Sequence, residues 1–232
     1  MKIANNRLLD NDGKPVPFRQ SPNIGGVLNP EYIIIHYTAS SNADGAISWM
    51  LSPQSKVSAH LHLDRGAGIF FQLVPFNKVA WHAGKSEWKG IIGLNSHSIG
   101  IECQNTGTQE YPQVQLDALV LACKAIVEVY PIKEILGHSD IAPGRKTDPG
   151  KQFPMEWLRK QVFNVQPKVN LVTTKHTTSD LNIRETGKAT GKLLSTLPKG
   201  TKVNVLSESD GWSNVFVCKS KLIGWVSSKY LV

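Results

Sequence analysis

The run Tyr32-Ile33-Ile34-Ile35-His36-Tyr37 is apolar and β-branched, bounded by Asn29-Pro30 before and Ser40-Ser41-Asn42 after. That pattern predicts a buried strand over residues 32–37. Alternation in Ser98-Ile99-Gly100-Ile101-Glu102 predicts a second strand, and shorter ones are expected near 58–64 and 69–74, flanking the turn Asp64-Arg65-Gly66-Ala67-Gly68. Helical spacing appears over Asp44 to Leu51, stopped by Ser52-Pro53. It is longest over Gln113 to Val129, where Val114, Leu116, Leu119, Val120, Ala122, Cys123, Ile126 and Val127 form an apolar stripe and Pro131 closes it. A last helix over 154–162 starts at Pro154, a residue suited to a first turn. Residues 1–28, 80–97 and 137–150, rich in Asn, Gly, Pro, Trp and His, read as loops. Strands alternating with helices predict an α/β fold, a mixed central β-sheet flanked by helices.

After Gln166-Pro167-Lys168 the texture changes. Short alternating segments at 181–184, 192–197, 201–206, 212–217 and 224–226 are separated by turns such as Pro198-Lys199-Gly200 and Ser209-Asp210-Gly211, the pattern of a small β-barrel. The expected organisation is therefore a domain over 1–165, a linker over 166–171 and a second domain over 172–232. At 232 residues and 41% hydrophobic composition, two modest cores are reasonable. The net charge of +8 is uneven: residues 168–232 hold ten Lys and Arg against four Asp and Glu. Such a surface suits anionic polymers, though solubility explains it equally well, and no nucleic-acid motif is present. No run is long and apolar enough to cross a membrane, and the first ten residues lack the apolar stretch of an export signal. Three cysteines, Cys103, Cys123 and Cys218, have no metal-binding spacing and imply no disulfide framework.

Candidate chemistry concentrates between His138 and Asp148, in Gly137-His138-Ser139-Asp140-Ile141-Ala142-Pro143-Gly144-Arg145-Lys146-Thr147-Asp148-Pro149-Gly150. Histidine plus carboxylate suits zinc, and a catalytic zinc takes three protein ligands. His36, at the end of a buried strand, is the candidate third; taken alone, it reads first as a core histidine bonded to a backbone carbonyl. Glu102, ending the alternating strand, is of a type that can serve as a base, and by period-2 logic Cys103 faces away from it. Lys146 sits two residues before Asp148 and is of a type that can donate to an oxyanion. Without further context, Glu102 reads first as a solvated edge carboxylate and Lys146 as an ordinary loop cation.

The segments Ile35-His36-Tyr37-Thr38, Trp81-His82-Ala83-Gly84, Leu94-Asn95, Ser98-Ile99-Gly100-Ile101-Glu102, Gly137-His138-Ser139-Asp140-Ile141 and Lys146-Thr147-Asp148-Pro149-Gly150 resemble the type 2 N-acetylmuramoyl-L-alanine amidases. The resemblance spans roughly residues 1–160 and implies the fold shared with phage amidases and peptidoglycan recognition proteins. It implies a zinc hydrolase cutting the amide between the lactyl group of N-acetylmuramic acid and L-alanine. Carried over by position, the Zn²⁺ ligands are His36, His138 and Asp148, and the catalytic pair is Glu102 and Lys146. His60, Trp81, His82 and Asn105 are expected near the substrate. The C-terminal segments Leu181-Asn182-Ile183-Arg184, Leu197-Pro198-Lys199-Gly200-Thr201, Asp210-Gly211-Trp212 and Gly224-Trp225-Val226 resemble bacterial SH3 domains appended to cell-wall enzymes. The expected partners are peptidoglycan, muropeptides and anionic wall polymers; neither nucleic acid nor membrane insertion is expected, and the chain is expected to be a monomer. It would be made in the cytoplasm and act on the wall, as a phage lysin, a recycling enzyme or a delivered toxin. A non-catalytic peptidoglycan receptor and a zinc peptidase on wall peptides are the competing readings.

Overall fold

The computed structural model describes residues 1–163, 173–220 and 222–232, in two compact units divided between Asn164 and Val165. The expected linker over 166–171 lies outside the described residues.

The first unit is built on a five-stranded mixed sheet. Its order is Glu134–Gly137, Tyr32–Tyr37, Ser98–Cys103, Leu61–Leu63, Phe70–Gln72, the first four parallel and the last antiparallel. The strands are short and the register is tight, because alternate residues meet different fates. Ile33, Ile35, Leu61, Leu63, Ile99, Ile101 and Cys103 point to one face and join the main core. Helix α2 (Gln113–Val129) covers that face with Leu116, Leu119, Cys123 and Ile126, and α4 (Met155–Phe163) adds Leu158 and Val162. Each such side chain, fully buried, is worth about 1.5–3 kcal/mol. Pro112 precedes the first turn of α2, where a missing N–H costs nothing, and Tyr130-Pro131 ends it. The stripe expected for α2 is buried except at its ends, where Val114 is exposed and Val127 is half-buried.

The opposite positions of the same strands are His36, Glu102 and His62. They lie side by side across three parallel strands, Glu102 in register with His36 on one side and His62 on the other. A one-residue slip would exchange this polar row with the isoleucines of the core, so burial of the core face fixes the site face as well. Helix α1 (Ala43–Leu51), capped by Asn42 Oδ1 accepting from the Gly45 N–H at 3.0 Å, runs on this side and buries Ile47 and Met50 against Ala59 and Leu73.

Several segments expected to be loops are ordered. Lys2–Ala4 and Arg7–Leu9 form a hairpin, Ile24–Val27 pairs with Lys78–Ala80, and Glu87–Trp88 pairs with Ile91–Ile92. These pairings are too short to carry a readable alternation. The expected strands at 58–64 and 69–74 shrink to Leu61–Leu63 and Phe70–Gln72.

The second unit is a six-stranded antiparallel sheet: Thr173–His176, Lys202–Ser209, Trp212–Val217, Ile223–Ser227, Leu181–Arg184, Leu193–Leu197. Its core is small, comprising Leu181, Ile183, Leu197, Val203, Val215, Val217, Val226 and Leu231. Trp212 and Trp225 stay half-buried and flank Gly187, where a Cβ would approach Trp225 to 3.0 Å. Among the described residues no helix is long and apolar enough to cross a membrane.

Candidate metal centre and its cleft

Three groups converge at the C-terminal ends of the parallel strands, the edge where sites are built in such sheets. His36 ends the Tyr32–Tyr37 strand. His138 opens α3 (His138–Ile141), a single helical turn directly following the Glu134–Gly137 strand. The loop after that turn returns Asp148, whose carbonyl accepts from the Ser139 N–H at 2.9 Å. Gly137 is needed for this return, since a Cβ there would lie 2.7 Å from Pro149 Cδ. His36 Nδ1, His138 Nδ1 and Asp148 Oδ2 form a triangle with sides of 3.0, 2.8 and 3.0 Å. All three residues are buried, and they are the one His/Cys/Asp/Glu group among the described residues arranged to hold a metal ion. Burial pulls the Asp148 carboxyl up, but hydrogen bonding to His138 and His36 overrides it and holds the group well below the usual carboxylate range.

The triangle forms part of the wall of a cleft of about 460 Å³. Glu102 and Lys146 line it as well. Burial, then the nearby Asp148 charge, push the Glu102 carboxyl up to about 8, with Lys146 opposing. Glu102 Oε2 is buried and has no hydrogen-bond partner among the described residues. Lys146 is exposed and, among the described residues, unpaired. The other wall is apolar, with Trp49, 60% exposed, beside Met50, Val57 and Trp81. A mixed apolar and charged cleft of this size suits a small ligand with both kinds of surface.

Of the four residues expected near a ligand, Trp81 is on the cleft wall. His82 also borders the cleft, but it is buried behind His36, its Nδ1 3.0 Å from His36 Nε2. Burial, reinforced by the imidazoles of His36 and His60, holds His82 well below the ordinary histidine range. His60 and Asn105 do not reach the cleft. His60 is fully buried: Nε2 bonds the Lys78 carbonyl at 2.9 Å and Nδ1 accepts from the Gly100 N–H at 3.1 Å. Asn105 spends its side chain on its own turn, donating to the Gln109 carbonyl and accepting from the Gly107 N–H. A histidine on a strand face looks the same in sequence whether it borders a cleft or is sealed one residue deeper. Sequence reasoning also missed Arg145, which donates to the carbonyls of Ala83 at 2.8 Å and Lys85 at 2.5 Å. It missed Trp49 too, whose helical stripe gave no sign of facing the cleft.

His60 and His62 carry a consequence for stability. Burial lowers each to about 4, for His60 against the pull of its bond to Lys78 and for His62 against the charges of Asp64 and Asp44. A depressed folded-state pKa means the unfolded chain binds more protons between 4 and 6.5. The stability each contributes is complete above 6.5 and lost as pH falls toward 4, about 3 kcal/mol per group. His62→Phe, placing an apolar ring beside Phe71, is expected to flatten the fall in urea-unfolding free energy between pH 6.5 and 4.5. An unchanged pH slope in that variant would contradict the account.

Comparison with known proteins agrees with this architecture. The N-acetylmuramoyl-L-alanine amidase family profile matches residues 26–151, over half the chain and including all five of His36, Glu102, His138, Lys146 and Asp148. A bacterial SH3 domain profile matches residues 179–232. The chain is 46% identical over 110 residues to the 1,6-anhydro-N-acetylmuramyl-L-alanine amidase AmpD of Escherichia coli, covering 47% of this chain and 58% of that protein. It is 36% identical over 157 residues to the N-acetylmuramoyl-L-alanine amidase AmiD of Escherichia coli, covering 60% and 56%. The chain thus spans a little over half the length of these curated relatives. A solved structure of AmiD from E. coli, in complex with the substrate anhydro-N-acetylmuramic acid-L-Ala-D-gamma-Glu-L-Lys, superimposes with a TM-score of 0.54 at 36% identity, covering 62% of this chain and 60% of that one. By the extent of its match, the chain belongs to the N-acetylmuramoyl-L-alanine amidase family and carries a bacterial SH3 domain at its C-terminal end.

Proposed function

We propose that the chain is a zinc-dependent N-acetylmuramoyl-L-alanine amidase that hydrolyses the amide between the lactyl group of N-acetylmuramic acid and the L-alanine of peptidoglycan or its muropeptide fragments. The observation that carries it is the donor triangle beside a buried, high-pKa carboxyl and an unpaired lysine in one cleft. Two imidazole nitrogens and one ionised carboxylate oxygen, 2.8–3.0 Å apart, suit an ion whose bonds are about 2.0–2.2 Å long. The names of AmpD and AmiD, and the substrate in the AmiD complex, support the bond and the substrate class.

When bound by His36, His138 and Asp148, zinc would supply a Lewis acid that polarises the scissile carbonyl and makes water nucleophilic near neutral pH. Glu102 takes a proton from the attacking water and delivers one to the departing amine of L-alanine, so the acyl carbon gains oxygen and the nitrogen gains hydrogen. A carboxyl lifted toward neutrality exchanges protons in both directions, as that double duty requires. Lys146 donates to the negative charge that develops on the carbonyl oxygen. The apolar wall of Trp49 and Trp81 packs against the sugar ring or peptide methyl groups. The direct test is release of peptide from a soluble muropeptide by chelated protein before and after zinc is restored. Equal release from verified metal-free protein would contradict the zinc reading.

In this reading the second unit serves wall targeting. All five proposed residues precede residue 165, so a chain ending near Val165 should still cleave soluble muropeptides. On intact walls it should lose activity, because tethering raises the effective concentration of enzyme at the polymer. Turbidity assays on walls beside chromatography on fragments check this. Equal loss on both substrates would contradict the division of labour.

A further inference from the structure

The turn His82–Ala83 touches both histidines of the donor triangle from behind. Asn95 Oδ1 holds this turn by both amides, accepting from the His82 N–H at 2.9 Å and the Ala83 N–H at 2.7 Å. On one side, His82 Nδ1 lies 3.0 Å from His36 Nε2. On the other, the Ala83 carbonyl lies 3.0 Å from His138 Nε2.

Proton positions follow from what each neighbour can accept. His82 Nε2 faces the Ser98 carbonyl and Ser98 Oγ, each at 3.4 Å. The carbonyl only accepts, and Ser98 Oγ donates its own proton to the Leu94 carbonyl at 2.5 Å. His82 Nε2 must therefore be the donor. A neutral imidazole with its proton on Nε2 has a bare Nδ1, which then accepts from His36 Nε2. The same logic applies to His138: the Ala83 carbonyl cannot donate, and Arg145 Nη2, 3.5 Å from the same nitrogen, spends its protons on the carbonyls of Ala83 and Lys85, so Nε2 of His138 donates. Strand geometry enforces the first contact, because the His82 ring lies directly over Gly100, where a Cβ would run into it.

We propose that the His82–Ala83 turn, pinned by Asn95, is a proton-placing clamp that holds a proton on Nε2 of both His36 and His138, so that Nδ1 of each is the nitrogen turned to Asp148 and the metal position, where a bound ion would displace any proton shared with the carboxylate. This rests on the zinc reading for its purpose, but the proton positions stand or fall separately. His82 is a positioning residue: it meets the donor triangle through His36. Outer partners of this kind are worth about 10–100-fold in metal affinity.

The test begins with the unmodified, ¹⁵N-labelled full chain, stripped of metal, by long-range ¹H–¹⁵N correlation of the histidine rings. The expected spectrum shows the His82 proton on Nε2 and protonated Nε2 in both His36 and His138, whether or not a second proton is shared between Nδ1 and Asp148. A proton on His82 Nδ1, or a bare Nε2 in either of the others, would overturn the clamp. Two variants extend it, with zinc affinity read by competition against a fluorescent chelator. His82→Leu should bind zinc about 10–100-fold more weakly. His82→Gln, whose amide can accept from His36 and donate to Ser98, should recover most of that loss; parent-like affinity in His82→Leu would overturn the proposal. A parent chain that takes up no zinc yet shows these proton positions would overturn the zinc reading while supporting the clamp.

Discussion

His138→Ala is expected to leave the protein folded, without bound zinc and without measurable amide hydrolysis, and His36→Ala is expected to do the same. Each histidine supplies one corner of a triangle whose edges are 2.8–3.0 Å, and no other His, Cys, Asp or Glu among the described residues is placed to replace it. A catalytic zinc held by three protein ligands retains only two after the change. The loss in affinity should exceed the roughly 10–100-fold typical of removing an outer partner. The fold should persist because the apolar core lies on the opposite face of the sheet, under α2 and α4. Metal analysis of the purified variants, alongside circular dichroism, checks the prediction. A variant that keeps one zinc per chain would show that the triangle is not the metal site.

Glu102→Gln is expected to do the reverse, keeping zinc and losing turnover by about 10²–10⁴-fold. Glutamine preserves shape and burial but cannot accept and return a proton. The glutamate lies outside the donor triangle, so the ion should remain. Lys146→Met should likewise retain zinc and lose about 10²–10³-fold, the scale of removing one oxyanion donor. Metal content and kcat measured on the same preparations separate the roles. Zinc lost from Glu102→Gln would show that this carboxylate is a ligand rather than a proton carrier.

Strong local periodicity made much of this molecule legible. The triple isoleucine at 33–35 and the alternation ending at Glu102 gave two central strands, and the same alternation placed Cys103 in the core, away from Glu102. The stripe from Leu116 to Ile126 gave α2, with boundaries set by Pro112 and Pro131. What escaped depends on which distant segments meet. The Glu134–Gly137 strand has four residues and exists because it pairs with Tyr32–Ile35; read alone, it is indistinguishable from a loop. His138 therefore read as a loop residue, although it begins a helical turn. His60 and His82 are both expected near the substrate; His60 seals a core contact instead, while His82 borders the cleft and also backs a candidate ligand. Depth beneath a surface is set by long-range packing, which residue type and spacing do not encode.

The central claim concerns one bond, and mass spectrometry of the products names it. Purified protein loaded with zinc is incubated with a defined muropeptide, and the fragments are weighed. Cleavage between lactyl carbonyl and L-alanine yields an intact stem peptide with a free L-alanine amine and a sugar bearing a free lactyl carboxylate. That pair of products is the predicted result. Shortened stem peptides still joined to the sugar would assign the cleft to a peptidase, and unchanged muropeptide would assign it to a binding protein; either would contradict the account.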